Sequence, residues 1–199
     1  GLALEVRPHE LTRRPTRQRH PPILLRNQGG DRRGQRRLAH ARPGGDDHQV
    51  AAMEAAPRRA CADRDIELYV NLSPRFEERR HLLYQFAHQQ DWVTITGGRH
   101  MPEFFEDLGR SRYVLSPRGR AWDCYRTYEA IAMGAVPIVR RTEPVSRVVD
   151  GLPVLVVDDW REVTRARLAA EYSRFADGHW DLSRLTQAYW DAQITGAAS

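Results

Sequence analysis

A parallel α/β sheet with helices on both faces is the fold class predicted for residues 65–199, and two observations predict it. Short β-rich runs alternate with stretches of helical spacing along this part of the chain. Two of those runs, AVPIV and PVLVV, are nearly continuous in apolar character, as strands buried on both sides are. The expected Rossmann-like sheet follows a largely unstructured Arg/Pro/Gly-rich segment, residues 1–64.

Residues 66–72 (IELYVNL) read as the first strand, and residues 74–89 space Phe76, Leu82, Leu83 and Phe86 as a helix does. Residues 92–96 (WVTIT) form the second strand, stopped by Gly97-Gly98, and residues 102–108 (PEFFEDL) a short helix with proline in its first turn. Residues 112–116 (RYVLS) are the third strand, residues 123–133 a helix, and residues 135–139 a fourth strand opened by Gly134. The fifth strand spans residues 153–157, followed by helices over residues 160–175 and 182–193. In such sheets ligands bind beyond the carboxyl ends of the strands, so the loops that follow strands are where a site is sought.

Charge divides the chain at the same place. Residues 1–64 hold 14 Arg against 7 acidic residues, a balance of +7, whereas residues 65–199 hold 17 Arg against 19, a balance of −2. The front segment has one short apolar run, residues 23–25, and buries too little to offset its ordering entropy. Three readings of it stay open: a solvated tail, a basic arm for nucleic acid, or sequence that is not a natural folded region. Aromatic residues for base stacking are absent from it, so no nucleic-acid partner is expected. Cys61 and Cys124 are too few for a disulfide framework and are read as free thiols. No run approaches the roughly 20 apolar residues of a membrane span, so no membrane segment is expected in this chain.

The chemistry concentrates in residues 116–137, SPRGRAWDCYRTYEAIAMGAVP, which run strand, Pro-Gly loop, helix, Gly turn, strand. A helix entered through such a loop presents unpaired N–H groups and the positive end of its dipole, a setting for phosphate. With Asp123 as the N-cap, Arg126 falls in the first helical turn, where a cation is disfavoured by up to about 1 kcal/mol unless an anion sits beside it. Arg118 and Arg120 lie in the loop just before, and three guanidinium forks at a helix start can cradle a diphosphate. Glu129 lies one turn along on the same side, where a carboxylate can accept both hydroxyls of a ribose. The plain alternative is a solvated face on which Arg126 pairs with Glu129 or Asp123.

The ordered set SPRG, DCYRTYEA, GAVPIV and LPVLVVDDW, preceded by YVNLSPRFEERR and DWVTI and closed by Leu185, Tyr189 and Trp190, resembles the C-terminal domain of exostosin-like glycosyltransferases over residues 68–190. The resemblance implies a GT-B architecture, two Rossmann-like domains facing across a cleft, with residues 65–199 as the half that binds a nucleotide sugar, usually UDP-linked. It implies that Arg118 and Arg126 contact the diphosphate and Glu129 the ribose or sugar, that Gly119 shapes the loop, and that Ser116, Asp123 and Thr127 assist. Arg120-Ala121-Trp122 departs from the small pair common after Pro-Arg in this family, which leaves the donor sugar open.

The activity implied is sugar transfer to a hydroxyl of a glycan or protein-linked acceptor, with no cofactor and no bound metal. A catalytic base is expected from an N-terminal acceptor-binding half that residues 1–64 are too short and polar to be. The Asp63-Arg64-Asp65 triplet precedes its strand, which argues against a metal-binding DxD, and the histidines lack ligand spacing. His100 is read as an ordinary loop residue, and Trp160 and Trp190 as packing residues. A eukaryotic member is expected in the Golgi lumen. A binding module without transfer is the alternative, and an arginine-rich nucleic-acid binder a second.

Overall fold

The computed structural model describes residues 24–26, 37–39, 47–122 and 124–196. Much of the reading of residues 1–64 therefore falls outside the described residues. Within that span, β1 (Leu24–Arg26) pairs antiparallel with β2 (Arg37–Ala39).

The remaining elements run α1 (Asp47–Ala55), β3 (Ile66–Asn71), α2 (Glu77–Phe86), β4 (Val93–Thr96), α3 (Met101–Arg110), β5 (Ser111–Leu115), α4 (Tyr125–Ala132), β6 (Val136–Arg140), α5 (Glu143–Val149), β7 (Leu155–Val157), α6 (Arg165–Ala176) and α7 (Gln187–Thr195). Five strands form one parallel sheet in the order β4-β3-β5-β6-β7. The chain moves outward from β3 to β4 and then returns to the other side of β3, so the order reverses between β3 and β5. That reversal opens a crevice at the carboxyl edge of a doubly wound sheet.

Alternating side chains fill two cores, one on each face, because successive strand residues point to opposite sides. Leu68, Val70, Tyr113, Leu115, Ile138 and Val157 pack under α2 and α6 with Phe86 and Phe175. Tyr69, Val114 and Val139 pack on the other face with Phe105, Ile131, Val145 and Met53 from α3, α4, α5 and α1. The parallel sheet covered on both faces is the predicted fold class.

Two helices depart from the expected pattern. α5 stands where no helix is predicted; Thr142 caps it, its Oγ1 accepting from Val145 N at 3.4 Å, and Val145 and Val149 are buried. α1 lies upstream of Asp65, and its Met53 is a core residue. The connection from α1 to β3 is held closely. A Cβ on Gly109 would stand 2.2 Å from Pro57 O, and Gly134, with φ +77°, leaves room for Arg64, whose Nη2 would be 2.6 Å from a Cβ there. The buried Arg64 guanidinium donates to the carbonyls of Arg59 (3.0 Å), Leu108 (3.4 Å), Ser111 (2.7 Å) and Met133 (3.0 Å). Packing thus extends upstream of Asp65 to α1, because these residues supply apolar contact and buried donors that composition does not display.

Candidate functional site

The loop of residues 116–124 leaves β5 beside the point where the strand order reverses. Ser116 N still bonds Ile138 O at 2.9 Å, so the sheet continues one residue past β5. Ser116 and Thr127 are both buried and share a hydroxyl hydrogen bond of 2.8 Å, and Cys124 Sγ lies 3.4 Å from Ser116 Oγ. These bonds fix the start of α4 against the end of β5.

α4 begins one residue later than predicted. Cys124, extended at φ −144°, is the N-cap; its carbonyl accepts from Thr127 N, and its side chain makes no capping bond. Asp123, the expected cap, lies outside the described residues. Arg126 is still in the first turn, and its Nε is buried without a hydrogen-bond partner among the described residues. Glu129 attracts it without occupying that donor.

Arg79, on α2, is a cation of this arrangement that the sequence pattern does not single out. Its Nε donates to Arg118 O at 3.2 Å and its Nη2 to Pro117 O at 3.5 Å, so it supports the loop from below. Burial, and next the charge of Arg126, lower the Arg79 guanidinium from its ordinary value. Arg79 and Arg126 are thus two partly buried guanidiniums that repel each other, and the Nε of Arg126 is an unfilled donor.

Glu129 is 7% exposed, and its Oε1 accepts from Gln49 Nε2 of α1. Burial pushes its carboxyl up to about 7, against the opposing pull of Arg126 and the Gln49 bond. Glu129 and Arg126 line neither of two depressions at the carboxyl edge, whereas Arg118 lines both. The first is a crevice of about 20 Å³ between Ser116, Cys124, Thr127 and Val145, room for about one water molecule. The second is an open cleft of about 450 Å³ bounded by α2, Arg118, Gly119, Arg140, Asp159 and Trp160.

A single carboxylate organises that cleft. Glu78, with a side chain 19% exposed, accepts from Trp160 Nε1 at 3.0 Å and lies 3.3 Å from Arg140 Nη1 and 3.8 Å from Arg118 Nε. The Arg118 guanidinium also stands 5.3 Å over the exposed Trp122 ring. Trp160 is buried in the core and lines the cleft as well. Gly119 has no positive φ, and a Cβ there would meet Arg79 Nη2 at an ordinary 3.5 Å, so backbone freedom is not what this position uses. Arg120 is exposed, and His100, at the N-cap of α3, lines neither depression. Among the described residues no group of three or more His, Cys, Asp or Glu forms a metal-binding cluster, and no helix is long and apolar enough to cross a membrane.

Residues 72–174 match the family model of the RXYLT1 C-terminal domain, just over half of the chain. The chain belongs to the RXYLT1 C-terminal domain family. That family is a member of the exostosin-like glycosyltransferases, in agreement with the resemblance carried by SPRG, DCYRTYEA and LPVLVVDDW. No curated protein matches the chain. The region matched to the RXYLT1 C-terminal domain starts just past β3 and stops within α6, so it includes Glu78, Arg79, Arg118, Arg126, Glu129 and Arg140 and omits α1.

Neither Glu78 nor Arg79 is conspicuous in FEERR, since adjacent opposite charges on a helix read as a solvated face. The signal that exposes them is topological. α2 follows the strand at which the sheet order reverses, and its first turn faces the loop after β5.

Proposed function

We infer that this domain binds a nucleotide sugar, UDP-linked by family expectation, and transfers the sugar to a hydroxyl acceptor. The observation that carries the reading is the buried, unpartnered Arg126 Nε beside the Arg79 guanidinium, at a helix start on the carboxyl edge of the sheet. An anion is the group that relieves both the repulsion and the empty donor, and helix dipole and guanidiniums act together on it. Arg118, half-exposed above the loop, closes the anion from the cleft side.

In the transfer, an acceptor oxygen forms a bond to the anomeric carbon as the carbon–oxygen bond to the diphosphate breaks. The electron pair leaves with the diphosphate, and the acceptor proton passes to a base. The arginines stabilise the charge that grows on the departing diphosphate, so no bound metal is required. The base is expected from an acceptor-binding half. Ribose hydroxyls reaching Glu129 would replace the Gln49 amide at its carboxylate.

Calorimetric titration of the full chain with UDP tests the reading. Arg118→Ala and Arg126→Ala are each expected to weaken binding by more than about 1 kcal/mol, the scale of a lost charge-assisted hydrogen bond. Unchanged affinity in both variants would place the cradle elsewhere. Release of UDP from a UDP-sugar in the presence of acceptor distinguishes a transferase from a module that only binds.

A further inference from the structure

Resting on the nucleotide-sugar reading, the geometry points to Arg140 as a further donor-binding residue, one that makes the cleft select a nucleoside diphosphate over a monophosphate. Arg140 ends β6, two strands from the reversal point, and no motif marks it. Its side chain is 43% exposed and lines both the crevice and the cleft, as Arg118 does at 52% exposure. One carboxylate, Glu78, faces both guanidiniums and also accepts from Trp160, while the other carboxylates of the cleft wall are Glu77 and Asp159, the latter bonded to Arg161.

The contacts are loose. At 3.3 Å to Arg140 and 3.8 Å to Arg118 they exceed the roughly 2.7–2.9 Å of a strong charge-assisted hydrogen bond, so donors on both guanidiniums stay available to a better acceptor. Glu78 is anchored by the Trp160 N–H and has one arginine beside each of its carboxylate oxygens. A phosphoryl group entering the cleft can accept from both guanidiniums at once through separate non-bridging oxygens.

The cations therefore fall into two pairs. Arg126 lies in the first turn of α4 and interacts with Arg79 of α2, whereas Arg118 and Arg140 flank the open cleft. The first pair takes one phosphoryl group. The second takes the sugar-linked one, because the cleft is where space for a sugar exists.

The test compares UDP and UMP binding to the full chain by calorimetry, for the unmodified protein, Arg140→Gln and Arg140→Lys. Arg140→Gln is expected to weaken UDP binding roughly tenfold and UMP binding less than about twofold, with Arg140→Lys recovering most of the UDP loss. A chain that binds UDP but loses UDP and UMP affinity equally, or loses neither, overturns the role of Arg140 and leaves the nucleotide-sugar reading in place. An unmodified chain that binds neither nucleotide overturns both.

Discussion

Glu129 shows how far a single side chain is shaped by its surroundings. On a bare helix it would be an ordinary carboxylate, but α1 covers it, and burial outweighs the attraction of Arg126 and the bond from Gln49. Its folded-state value, about 7, lies above the ordinary 4.5, so the folded state holds the proton more tightly than the unfolded one. The stabilisation is full below about pH 4.5 and is lost as pH rises through about 7. Glu129→Gln, which keeps an acceptor for Gln49, is therefore expected to match the native chain at low pH and to be about 1–3 kcal/mol more stable at pH 8. Urea denaturation at pH 4.5 and pH 8 measures it; a difference that does not change with pH would show the carboxyl to be solvated.

Among the elements, α1 contributes most beyond its sequence appearance. It brings Met53 into the core shared with Phe105 and Tyr128, and Gln49 to Glu129, from a stretch whose neighbours are Arg, Pro and Gly. Met53→Ala removes buried apolar volume and is expected to cost about 2–5 kcal/mol, read from the urea midpoint with the slope unchanged. A loss under about 0.5 kcal/mol would mean that α1 is not part of the cooperative unit. α5 makes the complementary point. Its seven residues follow an N-cap threonine and place two buried valines one turn apart, a local signal that is present but short enough to be taken for a connection between two strong strands.

For the molecule as a whole, Arg64 joins pieces distant in sequence: the carbonyls ending α3, opening β5 and closing α4 all converge on one guanidinium in the space left by Gly134. Burial lowers that guanidinium from its ordinary value, and the carbonyl bonds offset the cost of keeping it charged. Arg64→Ala leaves buried carbonyls unpaired and is expected to cost at least about 2 kcal/mol in chemical denaturation, while Arg59→Ala, at an exposed position, changes stability little. The sheet was legible beforehand because apolar runs and helical spacing are local, and each strand core from 66 to 157 lies within about two residues of its observed position. The 116–137 loop and helix were legible too, since SPRG and DCYRTYEA combine a turn, a cap region and a misplaced cation in one short stretch. Sequence by itself thus determined the α/β class, the family and the loop that carries the arginines. Only tertiary structure decided that Glu78 and Arg79 reach that loop, that Arg140 shares Glu78 with Arg118, and that Glu129 lies under α1. Periodicity reports which way a residue points from its own element, whereas these juxtapositions depend on which strands become neighbours where the sheet order reverses.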